Sequence, residues 1–261
     1  MPQTIEELKQ SLLEVVYPTP KICLLCNETL PAPGCCQNCR NRIERYKKES
    51  GQCTRCGTFS VHGIYCPACY HWPEGYIKNT APLPYQTEAE ELIAQFKYLY
   101  QGHLAKPLSL LIFQELSKNP TLLTDTLSAI VVPIPMSPAR KRQKGYNHAE
   151  VLSKEVAGIL SAEHLPDLLL RPHHTPHQVG LGNQKRRQNL KNAFHINKHW
   201  VQYIANKTIL LVDDVLTTSA TLQEAASTLL AGGVQKVFSV TIAAGNPEVS
   251  KNREKDDKPW K

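Results

Sequence analysis

All nine cysteines of this 261-residue chain fall between Cys23 and Cys69. Eight of them form a duplicated unit. Cys23-x2-Cys26, nine residues and Cys36-x2-Cys39 are followed, thirty residues on, by Cys53-x2-Cys56, nine residues and Cys66-x2-Cys69. A C-x2-C knuckle presents two thiolates from one tight turn, and two knuckles complete the tetrahedral shell of Zn²⁺. The spacing therefore predicts two structural zinc ions. Pairing in sequence order puts one on Cys23, Cys26, Cys36 and Cys39 and the other on Cys53, Cys56, Cys66 and Cys69. Cross-braced pairing satisfies the same spacings. Four sulfurs leave no coordination position for water, so such a metal organises the fold and does not react. A disulfide framework, the competing use, belongs to secreted chains, and the first ten residues lack the basic-then-apolar order of a secretory signal. Cys35 breaks the spacing with Cys39 and is left over as a spare thiol. His62 and His71 adjoin sites that sulfur already completes, and are expected to face solvent. Gly57 follows a knuckle where a turn of positive φ fits, and Pro67 lies inside another.

Outside the cysteine region the chain reads as α/β. Hydrophobic residues make up 41%, enough for a packed core. A formal charge of +7 favours phosphate-bearing partners, whether a phosphorylated sugar or a nucleic acid. No run approaches the roughly 18 apolar residues of a membrane helix, and a cytoplasmic protein is expected. Near the start, Thr4 and Glu7 form a capping box, with Ile5, Leu8, Leu12, Leu13 and Val16 at helical spacing behind them. From about Tyr85, helices are predicted over Glu88–Tyr100, Leu104–Leu116, Asn147–Leu160 and Thr221–Ala231, the last ending at Gly232-Gly233. Strands are predicted from Leu127 to Pro135, Thr208 to Asp214 and Val237 to Ala243. Strands separated by helices imply a mainly parallel sheet with helices on both faces. After Ala244 the chain turns polar and charged, as a disordered tail does. The expected organisation is an N-terminal helix (1–20), a double zinc ribbon (21–75), an α/β domain (76–245) and a charged tail (246–261).

The stretch from Ile209 to Thr221, ILLVDDVLTTSAT, carries the chemistry. A buried strand delivers Asp213 and Asp214 to its C-terminal end, and Thr217, Thr218, Ser219, Ala220 and Thr221 open the next helix. Ligands of open α/β sheets bind at that edge. Amides at a helix start hold phosphate, and carboxylates accept hydrogen bonds from sugar hydroxyls. The string resembles the phosphoribosyl-pyrophosphate motif of type I phosphoribosyltransferases. Its flanks narrow the resemblance to the ComF family of competence proteins. Residues 131–147, VVPIPMSPARKRQKGYN, are similar to that family's strand, basic loop and Gly-aromatic-Asn signature. Thr175, Gln178, Leu181, Arg186, Asn189, Ala193 and Phe194 are similar to its second signature, and the cysteine units to its double zinc ribbon.

The resemblance implies a type I phosphoribosyltransferase-like fold in which Asp213 and Asp214 hold the ribose hydroxyls. It implies that Thr217, Thr218, Ser219, Ala220 and Thr221 form the 5-phosphate loop. Met136, Ser137 and Arg140 would line the pyrophosphate loop, with Mg²⁺ bridging the diphosphate. The chain departs from the family pattern at Ser219 (Gly in the pattern), Lys144 (usually Arg) and His148 (commonly Gln). Glycine allows the closest backbone approach to a phosphate, and lysine gives a point charge in place of a bidentate fork.

Arg140, Lys141, Arg142 and Lys144 form one basic cluster, and Lys185, Arg186, Arg187 and Lys191 a second. Solvated surface is the usual fate of such runs. A phosphate-rich ligand or a DNA backbone would also use Arg142, Lys144, Arg186 and Arg187, with Tyr146 stacking on a base or packing inward. His173, His174 and His177 lie in a Pro-rich stretch without metal-ligand spacing and read as a mobile loop. Two functions follow. One is a phosphoribosyltransferase with an unidentified acceptor. The other is a non-catalytic single-stranded DNA-binding accessory of transformation, for which the resemblance implies DNA-uptake helicase and recombination proteins as partners.

Overall fold

A computed structural model describes residues 21–59, 66, 69–70, 72–98, 102–172, 190 and 192–245. The expected N-terminal helix, His62, Pro67, His71, the three-histidine loop, the second basic cluster and the charged tail lie outside the described residues.

The cores of the strands are long apolar runs, and they assemble as such runs must, buried on both faces of a parallel sheet. β1 (Tyr76–Thr80), β2 (Leu83–Pro84), β3 (Ile130–Pro133), β6 (Thr208–Leu216) and β7 (Lys236–Ala244) make one five-stranded sheet in the order β1-β7-β6-β3, with β2 pairing the end of β7. Every pairing in it is parallel. Leu169–Leu170 (β4) and His195–Ile196 (β5) form a separate antiparallel pair. The period of two splits β6 between two cores. Leu210 and Val212 join one, Ile209 and Leu211 the other.

The first core is built by α2 (Thr87–Tyr98), α3 (Ala105–Leu116) and α6 (His148–Leu160). Leu108, Ile112 and Leu116 recur at helical spacing along α3, as do Leu152, Val156 and Leu160 along α6. Asn147 caps α6 by accepting from the Ala149 amide at 3.2 Å. The second core lies under α7 (Ala220–Ala231), whose Leu222, Ala225, Ala226 and Leu229 form one stripe. α7 stops at Gly232-Gly233, as expected, and Gly233 adopts φ 92°.

Each cysteine unit continues into one of these cores. Cys23, Cys35, Cys36 and Cys39 pack with Ile43, Leu83 and Phe96; Cys53, Cys56, Cys66 and Cys69 pack with Trp72, Tyr76 and Ala81. The first unit runs into α1 (Gln37–Ser50), capped by the Cys36 side chain. Lys47 on α1 pairs with Glu115 on α3 at 2.5 Å, and Arg42 with Glu88 at 3.3 Å. The second unit rests on β1 and β7 through buried polar groups. Asn79 donates to the Cys56 carbonyl at 3.0 Å and accepts from Ser239 at 2.7 Å, and Tyr76 meets the same serine hydroxyl at 2.5 Å.

Several expectations need correction. The strand predicted from Leu127 to Pro135 is shorter, β3, and follows a helix α4 (Pro120–Leu127). The basic stretch expected as a loop is the helix α5 (Pro138–Lys144), entered through Pro138 and closed by Gly145 at φ 81°. β6 runs two residues past Asp214, so the aspartates lie inside the hydrogen-bonded strand. α7 begins at Ala220, one residue before the predicted start.

Candidate functional site

The eight repeat cysteines form two separate clusters in sequence order, each with its sulfurs within 4.8 Å of one another. Individual separations are 3.8 Å for Cys26 and Cys36, 3.7 Å for Cys53 and Cys69, and 3.4 Å for Cys56 and Cys66. A tetrahedral zinc with Zn–S near 2.3 Å sets sulfurs about 3.8 Å apart, so both clusters fit the ion. The knuckles are built alike. Asn27 and Gly57, thirty residues apart, both take left-handed φ (61° and 74°) and donate to the carbonyls of Cys23 and Cys53. Burial opposes ionisation of Cys23, yet amides of Cys36, Leu25 and Cys26 bring its thiol down to about 6. Cys35 is held apart. Burial, with the Cys23 and Cys36 charges behind it, pushes its thiol up to about 12, so it stays protonated outside the ligand set.

At the carboxyl edge of the sheet, Asp213 and Asp214 each turn a carboxylate oxygen back onto the next backbone amide, at 2.9 Å. Asp214 is 6% exposed and pairs with Lys97, which reaches in from α2. His148, first residue of α6, places Nε2 3.5 Å from the same carboxylate oxygen. His148, Asp213 and Asp214 bring their ligand atoms within 4.8 Å of one another.

The electrostatics describe a crowd of cations around two anions. Burial lowers Lys97 to about 8, opposed by the Asp213 charge and helped by Lys144 and Arg140. Burial, with Lys97, Lys144 and Arg140, lowers His148 to about 3, so the imidazole is neutral at physiological pH. Burial and Arg140 lower Arg171, while Asp213 supports its charge. Asp213 is raised to about 7 by burial, with Lys97 and Arg171 pulling the other way. Lys97 pairs with Asp214, Lys97 and Arg171 act on Asp213, and the charges of Arg140 and Lys144 bear on Lys97 and His148 beside them. Basic side chains gathered at one sheet edge suit an anionic ligand.

The expected site residues divide. Asp213, Asp214, Arg140 and Lys144 share this edge. Ser137 is buried at the start of α5, and Met136 precedes it. Thr217 and Thr218 lead from β6 to Ser219, which takes φ 59° and ψ −6° before Ala220 and Thr221 open α7. Arg142 is exposed on α5, and Lys141 pairs with Glu150 at 3.1 Å. Tyr146 turns inward, donating to the Phe96 carbonyl at 2.8 Å, so its hydroxyl ties α2 to the α5–α6 turn and the base-stacking alternative loses support. Arg186 and Arg187 lie outside the described residues. Lys97 and Arg171 are missing from the sequence expectations. Each sits among apolar or loop residues with no motif around it, and only the fold brings it to Asp213.

A family model, the phosphoribosyl transferase domain, matches residues 143–261. The chain is 29% identical over 220 residues to Competence protein F of Haemophilus influenzae, covering 82% of this chain and 93% of that one. It is 27% identical to the DNA utilization protein YhgH of Escherichia coli K12, covering 84% and 94%. It is 26% identical over 247 residues to Competence protein ComFC of Bacillus subtilis, covering 85% and 94%. Over most of its length the chain is thus similar to proteins named for competence and DNA utilization. The phosphoribosyltransferase match starts inside α5 and takes in β6, the Ser219 turn, α7 and β7. Lys97, on α2, and both four-cysteine clusters precede it. No helix among the described residues is long and apolar enough to cross a membrane.

Proposed function

We propose that this protein binds phosphoribosyl pyrophosphate, or a related phosphorylated ribose, at the carboxyl edge of its sheet and serves DNA uptake in the cytoplasm. One observation carries the reading: half-buried Asp213 and buried Asp214, near the end of β6 before a tight hydroxyl-rich turn, stand with Lys97 and Arg171, and Arg140 and Lys144 add their charge to Lys97. In this reading Asp213 and Asp214 accept the ribose hydroxyls, which needs them ionised. Thr217, Thr218, Ser219, Ala220 and Thr221 surround the 5-phosphate, using backbone amides at the start of α7. Met136, Ser137 and Arg140 face the diphosphate, and Lys97, Lys144 and Arg171 add positive charge. The oxygen donors of Asp213 and Asp214 suit Mg²⁺, which would neutralise diphosphate charge when bound with the ligand. Were the group transferred, the C1–O bond to diphosphate would break as an acceptor bonds C1, and the four cations would stabilise the charge leaving on diphosphate. The two four-cysteine clusters hold structural zinc in this reading, within a ribbon module over 21–75 and a ligand-binding domain over 76–245.

The test is calorimetric titration with phosphoribosyl pyrophosphate and Mg²⁺. Binding is expected for the native chain, with a loss of at least tenfold in Asp213→Asn/Asp214→Asn. A native chain that takes up no ligand at millimolar concentration overturns the reading.

A second reading draws on the relatives' names and on Arg142 and Lys141, exposed on the outer side of α5. Single-stranded DNA passing over this helix would meet phosphate-binding charge next to the pocket, and helicase or recombination proteins would be the partners that deliver it. Affinity for an oligonucleotide should then fall steeply with salt and on replacing Arg140 and Arg142 by Ala. Affinity indifferent to salt would exclude it.

A further inference from the structure

Ser219 occupies the place where the family pattern has glycine, and it is buried, 4% exposed, in the left-handed conformation that glycine accepts most readily. Its hydroxyl is fully engaged on the acceptor side. Gln223, one turn along α7, donates to it at 2.8 Å, and the indole N–H of Trp72 donates to it at 3.3 Å. A serine hydroxyl has two lone pairs and one proton. With both lone pairs taken, what remains is a donor, and the turn carrying it is the one assigned above to a phosphate.

Trp72 belongs to the second cysteine unit, three residues after Cys69. It is 5% exposed and its ring stacks on Tyr76 at 3.9 Å with the planes 4° apart. Arg55, inside the Cys53–Cys56 knuckle, covers the ring at 5.3 Å from its centroid. The same guanidinium donates to the carbonyls of Cys69 and Tyr76, both at 2.9 Å. The indole is therefore clamped by groups whose positions the Cys53–Cys69 cluster fixes, and its single polar atom is spent on the turn before α7. A buried indole N–H needs a partner, and here that partner is the Ser219 hydroxyl, 147 residues on, in the turn before α7.

We propose that Trp72 is a positioning residue that couples the second four-cysteine cluster to the phosphate turn, holding Ser219 so that its hydroxyl proton is offered to a bound phosphate. The proposal rests on the phosphoribosyl reading of that turn. It gives the serine a use: a side chain that would otherwise crowd the phosphate is drawn back by the indole and supplies a donor. It also makes ligand affinity sensitive to metal in a cluster that touches no ligand.

Two measurements on the full chain test it. The first is calorimetric titration with phosphoribosyl pyrophosphate and Mg²⁺ on Trp72→Phe, which keeps the stacked ring and loses the N–H, on Ser219→Ala, and on the double variant. Each single change should weaken binding about five- to tenfold, the range of one lost hydrogen bond. The double variant should be no worse than Ser219→Ala, with two zinc ions per chain retained throughout. The second needs no ligand. Amide hydrogen exchange over residues 217–221 should quicken in Trp72→Phe, and in the native chain when a chelator strips the metal. Should Trp72→Phe fail to fold, Ser219→Ala and the chelation arm still decide the matter, since Ser219 lies at the far end of the same hydrogen bond. Additive losses, binding within twofold of native in Trp72→Phe, or exchange over 217–221 indifferent to metal removal would overturn the coupling. A native chain that binds no ligand yet shows metal-dependent exchange overturns the phosphoribosyl reading and leaves the coupling standing.

Discussion

Asp213 carries a conflict between stability and binding. Its carboxyl is raised from an ordinary 3.8 to about 7, chiefly by burial. The folded state thus holds this proton more tightly than the unfolded chain. The group costs nothing while both states are protonated, and its contribution to stability is lost as pH climbs from 3.8 through about 7. Asp213→Asn should therefore raise the melting temperature at pH 8 by a few degrees, at about 2–4 °C per kcal/mol, and leave it unchanged near pH 4. Equal melting at both pH values would contradict the burial argument. The ligand needs the ionised form, and Lys97, lowered to about 8, needs its proton. Affinity for phosphoribosyl pyrophosphate should then peak between about 7 and 8 and fall on either side. Lys97→Met should remove the alkaline limb of that profile, measured by titration across pH. It should also lower stability, because Asp214 would be left buried without its cation.

Among the elements, α4 is the cleanest case of a helix set by its cap. The Asn119 side chain accepts from the Leu122 amide at 3.0 Å, and Pro120 fills the first turn. Asn119→Ala should cost about 1 kcal/mol, read as a lower urea midpoint with an unchanged slope. The same Asn-Pro pair is legible in the sequence, yet the apolar run after Leu127 outweighs it and pulls the expected strand start too early. α5 shows the reverse. Pro138 and Gly145 bracket a helix, but its seven residues include no buried one and leave no periodic signal to read. β6, α6 and α7 are plain, because each carries a full apolar pattern with its own stop or cap. The aspartates are plain because two carboxylates break the apolar run of β6 after Val212. Lys97 and Trp72 are not, since their partners stand 117 and 147 residues away in sequence and no local spacing encodes a meeting at that distance.

At the scale of the whole molecule, the two cores make the cysteine units part of the sheet's packing. Zinc held by the two clusters would supply several kcal/mol of folding energy, so a strong chelator should lower the melting temperature by roughly 10 °C or more. The loss should appear in one transition that includes the sheet. An unchanged sheet transition beside a separate early one would show that the clusters are independent beads. A fragment starting at Tyr76 should for the same reason associate or precipitate, because Ile43 and Trp72, which cover apolar strand faces, would be missing.

The duplicated unit did not stay duplicated in use. One copy roofs the side of the sheet that Leu210 and Val212 face, the other the side of Ile209 and Leu211. Two copies of one cysteine spacing thus serve as the floor and the ceiling of one sheet. Losing either copy would strip the cover from a whole side of the sheet, so neither can stand in for the other.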